Sequence, residues 1–152
     1  MIGGVVVREL KKNADDRGYL MELLRNDWPD LFTRFGQAYV SLNYPGVIRA
    51  WHYHKVQHDL FTCVSGMVKV PLHDAREGSP TKGETMTFVI GEDRPLAILI
   101  PPGVLHGYVT LGVKPSLLVN FPSEVYDAAR PDEFRVPHDD PSIGYDWTVR
   151  PR

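Results

Sequence analysis

Cysteine is nearly absent from this chain of 152 residues, which has only Cys63. One cysteine cannot form an internal disulfide framework, so the sequence predicts a protein of a reducing compartment, the cytoplasm. An excess of either charge is also missing, because 17 basic side chains face 19 acidic ones. This balance predicts no nucleic-acid partner, although two or three local cations are enough to bind a small anion.

Long apolar segments are missing as well. No stretch approaches the roughly 18 apolar residues that a membrane helix needs, so no membrane association is expected. The first ten residues lack the basic segment and the apolar run of a signal peptide. Thirteen glycines and thirteen prolines interrupt the chain and leave few windows for a long helix. Residues 26–35 are the best candidate for a short helical turn.

What is present is a series of short apolar segments separated by turn residues, which is typical of an all-β sandwich or barrel. Ten strands are predicted, over residues 4–10, 19–24, 37–44, 47–53, 59–65, 67–74, 84–90, 96–100, 107–110 and 116–121. Ser65 and Gly66, between two of these strands, predict a hairpin turn. Residues 127–152 are polar and proline-rich. They predict an extended C-terminal tail packed on a single domain that spans residues 1–152.

Titratable side chains are concentrated between Gly46 and Gly66, a segment that contains Arg49, His52, His54, His58 and Asp59. His52 and His54 are two residues apart, so on a strand their side chains point to the same face. Imidazole titrates near neutral pH, which suits either proton transfer or metal ligation. A small barrel encloses a cavity just wide enough for a modest ligand, and this face is expected to line it.

The spacing in this segment resembles the first signature of the cupin superfamily, Gly-x5-His-x-His-x3–4-Glu-x6-Gly, with Asp59 in place of the glutamate. Residues 101–106, Pro-Pro-Gly-Val-Leu-His, resemble the second signature, Pro-x-Gly-x2-His. The resemblance implies an antiparallel cupin-type β-barrel, or jelly roll. In metal-binding cupins the ligands would fall on His52, His54, Asp59 and His106, a set that suits one divalent transition metal.

Five blocks in the same order along the chain resemble the dTDP-4-dehydrorhamnose 3,5-epimerase family. Residues 15–22 resemble its Asp-x-Arg-Gly-x-x-x-Glu, and residues 37–49 resemble its Gln-x-Asn-x-Ser-x-Ser-x-x-Gly-Val-x-Arg. Residues 74–83 resemble its Asp-x-Arg-x-x-Ser-Pro-Thr-x-Gly, residues 106–108 its His-Gly-Phe, and residues 139–147 its Asp-Asp-Pro-x-x-Gly-x-x-Trp. The resemblance implies an isomerase that needs no cofactor. Its substrate would be a nucleoside-diphosphate sugar, a dTDP-linked 4-keto-6-deoxy hexose.

The chemistry implied is proton exchange at C3 and C5, which lie next to the C4 carbonyl. A base removes one proton, an enolate forms, and a proton returns on the opposite face. The resemblance puts the base at His52 and its acidic partner at Asp140, with His54 as a further catalytic candidate. Positions that contact substrate fall on Arg17, Glu22, Gln37, Arg49 and His106. A homodimer is also implied, in which exchanged N-terminal strands bring Arg17 to the neighbouring pocket.

Two departures concern the acid side of the reaction. The family lysine that stabilises the enolate falls on Asp59, whose negative charge opposes enolate formation unless a metal or His58 compensates. The family tyrosine that acts as the acid falls on Asn120, and an amide cannot supply a proton at neutral pH. The sequence offers four substitutes for this acid without choosing between them: Tyr53, His54, Tyr108 and Tyr126.

A shorter resemblance indicates a second enzyme class. His-Tyr-His-Lys at residues 52–55, followed by Cys-Val-Ser-Gly at residues 63–66, resembles the core of dTDP-sugar 3,4-ketoisomerases. In those enzymes two histidines move protons between C3 and C4 without a metal. The sequence therefore predicts a nucleotide-sugar epimerase, with a ketoisomerase and a metal-binding cupin as the alternatives.

Overall fold

The computed structural model describes residues 1–149, and these form antiparallel strands with no helix among them. Within the same residues there is accordingly no helix of the length and apolarity that crossing a membrane requires. The strands are β1 (Val6–Glu9), β2 (Lys12–Asp15), β3 (Gly18–Met21), β4 (Tyr39–Asn43), β5 (Ile48–Tyr53), β6 (Asp59–Ser65), β7 (Met67–Asp74), β8 (Thr85–Gly91), β9 (Leu96–Ile100), β10 (Val104–Leu111), β11 (Ser116–Asn120) and β12 (Phe134–Arg135).

Ten of these strands build two five-stranded sheets, and β2 and β3 form a separate hairpin. The first sheet has the order β1-β9-β6-β11-β4 and the second has the order β12-β5-β10-β7-β8. From β4 to β7, and again from β8 to β12, consecutive strands of the chain lie in different sheets. This alternation is the double-sheet jelly roll. It confirms the all-β, antiparallel, cupin-type fold expected from the sequence, in the form of two hydrogen-bonded sheets.

The main apolar core lies between the two sheets. Alternate residues of β7 (Val68, Val70 and Leu72) are fully buried there, as the two-residue period of a strand requires. Strand β9 is buried along its whole length because its other face is also covered. Leu31, which belongs to the segment that joins β3 to β4, packs on that second face against Leu99.

The predicted hairpin at Ser65 and Gly66 is wrong. Strands β6 and β7 belong to different sheets, so the chain crosses between the sheets at this point instead of pairing with itself. Gly66 has a φ of 69°, and a Cβ there would lie 2.6 Å from the carbonyl oxygen of Pro115. A glycine marks both a tight hairpin and this crossing, so the residue type alone does not separate them.

Other differences concern elements without an apolar pattern. Strand β2 was not predicted because its sequence, Lys-Asn-Ala-Asp, has no apolar alternation and the β2–β3 hairpin projects from the sheets. In the segment predicted as a helical turn, the backbone N–H groups of Leu31 and Phe32 both donate to the carbonyl of Trp28, at 3.1 and 2.8 Å. This is one turn that does not continue into a helix.

Residues 127–149 of the tail lie on the second sheet, and the last three residues of the predicted tail are outside the described part of the chain. Strand β12 pairs with the end of β5, and Val136 exchanges two backbone hydrogen bonds with Trp51, at 2.9 and 3.1 Å. The Trp51 ring is fully buried against Tyr145 and Trp147, with ring centroids 5.7 and 5.1 Å away. The Lys69 ammonium donates to the carbonyls of residues 147 and 148, at 2.8 and 2.9 Å. The tail therefore covers the outer face of this sheet.

Candidate active site

A polar cavity of about 230 Å³ opens between the two sheets. Both sheets and the tail contribute to its wall, which consists of Tyr39, Ser41, Arg49, His52, His54, Asp59, Phe61, His106, Tyr108, Leu118, Glu133 and Arg135. An adjoining cavity of about 310 Å³ shares Tyr39, His54 and Glu133 with it and is also lined by Gln37 and Tyr126. His52 and His54 line the same cavity, as their spacing predicts.

A β-bulge in β5 brings Arg49 to the same side as His52. In the ladder between β5 and β10, His52 lies opposite His106 and Arg49 lies opposite Tyr108. Three steps along β5 therefore match two steps along β10, which means that β5 carries one extra residue. Side chains three apart on a regular strand point to opposite faces. Because of the bulge, Arg49 points to the same face as His52. Both side chains therefore line the cavity together with those of His106 and Tyr108.

His52 is held as a neutral imidazole. Burial, followed by the nearby His106, lowers its pKa to about 4, while the negative charge of Glu133 acts in the opposite direction. A neutral imidazole has a free lone pair at pH 7, which a general base needs. Glu133 belongs to the tail and was not among the residues predicted from the sequence. Its carboxylate is the acidic group of this cavity that favours the protonated form of His52.

Asp140, the partner expected for His52, lies elsewhere. Its carboxylate accepts hydrogen bonds from the N–H and hydroxyl groups of Ser142, at 2.8 and 2.5 Å. It lines a groove together with Tyr53 and Leu105, the strand neighbours of His52 and His106. Adjacent strand residues point to opposite faces, so this groove is on the outer face of the second sheet. The structure does not bring Asp140 and His52 together, because the tail leaves the cavity after β12.

Asp59 is buried between two imidazoles. The Nε2 atoms of His54 and His106 both lie 3.1 Å from the same Asp59 oxygen, Oδ2. The Nδ1 atom of His54 contacts the carbonyl of Asp132, and the Nδ1 atom of His106 lies 3.1 Å from the carbonyl of Val104. A carbonyl only accepts hydrogen bonds, so each Nδ1 carries a proton and each Nε2 is directed at the carboxylate.

The two imidazoles bear on the expectation that the negative charge of Asp59 would oppose enolate formation. Burial by itself would raise the pKa of Asp59, but hydrogen bonds from His106 and His54 hold it well below its usual range. Burial lowers the pKa of His54, but the hydrogen bond and the charge of Asp59 outweigh this and raise it above its usual value. The negative charge is therefore compensated by two imidazoles, and His58 does not take this role.

Asn120 and Tyr39 form a cross-strand pair in the first sheet, at the wall of the cavity. They lie directly opposite each other in the ladder between β11 and β4. The Asn120 Oδ1 atom accepts the backbone N–H of Leu60 at 3.0 Å, and its Nδ2 atom donates to the Tyr39 hydroxyl at 2.9 Å. Tyr39 was not among the acid candidates predicted from the sequence. Only the pairing of the two strands reveals that a phenol stands beside the asparagine.

The four acid candidates predicted from the sequence have different positions. Tyr108 lines the cavity, and its hydroxyl accepts a hydrogen bond from Asn43 at 2.9 Å. Tyr126 lines the adjoining cavity. Tyr53 is on the outer face, where its ring stacks on Phe134 with centroids 5.2 Å apart. His54 is engaged with Asp59.

The predicted substrate-contacting residues divide into two groups. Arg49, whose guanidinium donates to Asn43, and His106 line the inner cavity, and Gln37 lines the adjoining one. Arg17 is at the tip of the β2–β3 hairpin, 84% exposed and paired with Asp15. Glu22 follows the hairpin and pairs with Arg25 at 2.7 Å. Arg17 and Glu22 therefore lie outside the cavity of their own chain.

Three of the four candidate metal ligands lie together. Within residues 1–149, His54, Asp59 and His106 form a group whose ligand atoms lie within 4.8 Å of one another, and His52 is not part of it. Two imidazole nitrogens and a carboxylate oxygen suit a divalent transition metal. The same three groups also satisfy one another by hydrogen bonding, so their burial is explained without an ion.

Two facing sheets around a cavity rich in imidazole define a jelly-roll protein of the cupin type. The profile of the dTDP-4-dehydrorhamnose 3,5-epimerase family matches residues 1–152, and the chain belongs to this family of isomerases. It is 48% identical over 149 residues to the spore coat polysaccharide biosynthesis protein SpsL of Bacillus subtilis (strain 168), covering 98% of each chain. It is also 48% identical over 149 residues to the probable low-salt glycan biosynthesis epimerase Agl13 of Haloferax volcanii, covering 97% of this chain and 96% of the relative.

A solved structure with the same fold contains a sugar nucleotide. The dTDP-6-deoxy-D-glucose-3,5-epimerase RmlC of Legionella pneumophila, in complex with dTDP-4-keto-L-rhamnose, superimposes with a TM-score of 0.86 at 26% sequence identity. The match covers 98% of this chain and 81% of that one. These comparisons support the epimerase interpretation over the 3,4-ketoisomerase alternative.

Proposed function

We propose that this protein epimerises a dTDP-linked 4-keto-6-deoxy hexose at C3, C5 or both, without a cofactor, in the synthesis of a polysaccharide or glycan. The observation that carries the proposal is the position of the His52 imidazole in a polar cavity between two sheets, where burial lowers its pKa. The functions named for the two relatives and the ligand of the Legionella pneumophila structure support this substrate class. The whole chain, tail included, acts as one domain.

In the proposed reaction, the C4 carbonyl acidifies the neighbouring C–H bond and His52 removes the proton through its free lone pair. The imidazolium that forms is stabilised by the negative charge of Glu133. The enolate oxygen needs a cation or a hydrogen-bond donor in the same cavity. The guanidinium of Arg49 lines that cavity and is the candidate, because both nitrogens of His54 already contact Asp132 and Asp59.

The sizes of the two cavities support a division of the substrate between them. The inner cavity, at about 230 Å³, is smaller than the roughly 300–1000 Å³ typical of sites for drug-sized ligands, which suits a single sugar ring. The diphosphate and nucleoside would extend toward the adjoining cavity. Arg130 in the wall of the adjoining cavity offers a guanidinium group to phosphate oxygens.

A homodimer is part of the proposal. The β2–β3 hairpin exposes Tyr19 and Leu20, and β4, the edge strand of the first sheet, exposes Val40 and Leu42. An open strand edge with apolar side chains favours pairing with another chain. In this dimer the hairpin of one protomer carries Arg17 to the cavity of its partner. A nucleotide-sugar substrate and a free buried thiol, Cys63, favour a cytoplasmic location.

The test uses dTDP-4-keto-6-deoxyglucose in D2O, with NMR of the protons at C3 and C5. The wild type is expected to incorporate deuterium and to form an epimer. Because a positioned base contributes about 10²- to 10⁴-fold, His52→Asn is expected to slow both processes by that factor. His73→Asn is the matched control, since His73 contacts Thr85 on the outer face at 2.8 Å and should leave both rates unchanged.

Other outcomes identify the alternatives. A 3-keto product would indicate the ketoisomerase reaction. No exchange, together with one equivalent of a divalent metal by elemental analysis, would indicate a metal-binding cupin that uses His54, Asp59 and His106. Asp140→Asn tests the partner expected from the family resemblance. If it slowed exchange as much as His52→Asn does, the tail would have to adopt another arrangement in solution.

A further inference from the structure

An epimerisation needs proton donors and acceptors on two sides of the sugar ring. The base removes a proton from one face, and inversion requires that the new proton arrives on the other. His52 belongs to β5 of the second sheet, so it approaches the substrate from that sheet. The acid must then come from the first sheet, which forms the opposite wall of the cavity.

Most of the proton donors in the cavity are on the wall formed by the second sheet, which is the same side as His52. His106 and Tyr108 belong to β10, which pairs with β5 in the second sheet, and His54 directly follows β5. Both nitrogens of His54 are also occupied, by the carbonyl of Asp132 and by Asp59. Asp59 is in the first sheet, but its carboxylate is ionised because two imidazoles contact it. None of these four groups can supply a proton from the first sheet.

Ser41 and Tyr39 are the lining residues of the first sheet with a hydroxyl proton, and the more acidic of the two is the phenol of Tyr39. Tyr39 belongs to β4, and its side chain lines both cavities. The Asn120 amide donates to the Tyr39 oxygen at 2.9 Å, so one lone pair of the hydroxyl is occupied and its own proton is free for another acceptor. Asn120 is itself held by the Leu60 N–H, which fixes the position of the amide.

We propose that Tyr39 is the general acid that returns the proton on the face opposite His52, and that Asn120 is the residue that positions it. This inference rests on the proposed function. The phenolic O–H bond breaks, the electron pair of the enolate double bond forms the new C–H bond, and the C4 carbonyl is restored. The tyrosinate that remains keeps the hydrogen bond from Asn120 and regains a proton from water, and the His52 imidazolium releases its proton to water.

The state of the phenol agrees with this role. Burial, followed by the charge of Asp59, raises the pKa of Tyr39 to about 12, so the hydroxyl is protonated at pH 7. The hydrogen bond from Asn120 acts against this rise because it stabilises the tyrosinate. Asn120 therefore favours the ionised form that proton transfer produces.

The experiment separates exchange from inversion. In D2O, Tyr39→Phe retains His52, which can remove a proton and return a deuteron on the same face. We therefore expect deuterium incorporation within about threefold of the wild type, and epimer formation reduced by about 10²-fold or more. His52→Asn should lose both signals. Tyr53→Phe is the matched control, since its hydroxyl lies on the outer face and its loss should change neither.

A second variant leaves the phenol in place. Asn120→Asp keeps an oxygen for the Leu60 N–H but removes the donor to Tyr39, whose proton then turns to the new carboxylate. Epimer formation should fall about tenfold or more while exchange persists. Thermal unfolding of each variant verifies the fold, and the ratio of inversion to exchange is independent of the amount of folded protein.

The outcomes distinguish the two levels of the proposal. A wild type that neither exchanges nor inverts would overturn the proposed function and this inference with it. A wild type that epimerises, together with a Tyr39→Phe variant that inverts at the same rate, would overturn the role of Tyr39 alone. Loss of exchange as well as inversion in Tyr39→Phe would also overturn it, because Tyr39 would then act in forming the enolate.

Discussion

At the scale of single residues, the charge of Asp59 affects whether the cavity can stabilise an enolate. A negative residue at position 59, where the family resemblance expects a lysine, looks incompatible with an enolate as long as the sequence is considered alone. In the structure, His54 and His106 both contact this carboxylate, and His54 has a raised pKa. The three residues together therefore do not present an uncompensated negative charge to the substrate. The spacing in the sequence shows that imidazoles are near, but it does not show which of them contact Asp59.

The protonation of His52 can be measured directly. Burial and His106 lower its pKa to about 4, so the base is neutral above that pH and becomes protonated only as the pH falls through it. The rate of exchange should stay level from pH 7 to about pH 5 and decline toward pH 4. The NMR signal of the His52 ring, assigned by its loss in His52→Asn, should titrate with the same midpoint. A midpoint at or above the ordinary value of about 6.5 would contradict the described environment, since it would require a close carboxylate partner.

At the scale of elements, the bulge in β5 is the feature that assembles the site. A regular strand would direct Arg49 away from His52, and the extra residue reverses this. Gly107 permits the close approach of β10 at this point. A Cβ on Gly107 would lie 2.3 Å from the Cβ of Ala50 and 2.7 Å from the carbonyl oxygen of Arg49. The His-Gly-Tyr sequence of β10 therefore has a steric reason for its glycine.

Gly107→Ala is expected to lower the free energy of unfolding by about 1–3 kcal/mol, because the added methyl group forces β5 and β10 apart. Urea denaturation measures this change. Gly3→Ala is the matched control, since a Cβ there would meet only the end of the Arg76 side chain at 3.9 Å, and its effect should stay within about 0.5 kcal/mol. Equal stability of the two variants would contradict the tight contact between β5 and β10.

The strands that the sequence predicts differ from those it misses in one physical respect. Strands such as β7 and β9 bury apolar side chains between layers, and burial imposes an apolar pattern that is visible in the sequence. Strands β2 and β12 have little buried surface and are held by backbone hydrogen bonds, which any residue except proline can donate. Elements of this second kind need a partner strand before they can be recognised.

At the scale of the whole molecule, the proposed dimer gives a function to the projecting hairpin. Leu20 in the hairpin is 64% exposed, and Arg17 at its tip is not among the residues that line the cavity of its own chain. Leu20→Asp should convert a dimer of about 34 kDa, twice the 17.2 kDa of the chain, into a monomer in sedimentation velocity. Val113→Asp is the control, since Val113 is 93% exposed in the loop between β10 and β11.

Activity provides a second measure of the dimer. If Arg17 serves the cavity of the neighbouring protomer, Leu20→Asp should lose epimerase activity together with its dimeric state, while Val113→Asp keeps both. A wild type that sediments as a fully active monomer would contradict the exchange of hairpins between protomers.

The sequence by itself determined the all-β class, the cupin-type jelly roll and the epimerase family, because buried strands and motif spacings are local along the chain. It also placed His52 and His54 on one face through the two-residue period of a strand. The tertiary structure decided the rest: the bulge that turns Arg49 inward, the separation of Asp140 from His52, the imidazoles around Asp59, and the pairing of Tyr39 with Asn120. Each of these depends on which strands lie side by side, and residues 81 positions apart become neighbours only when the sheets form.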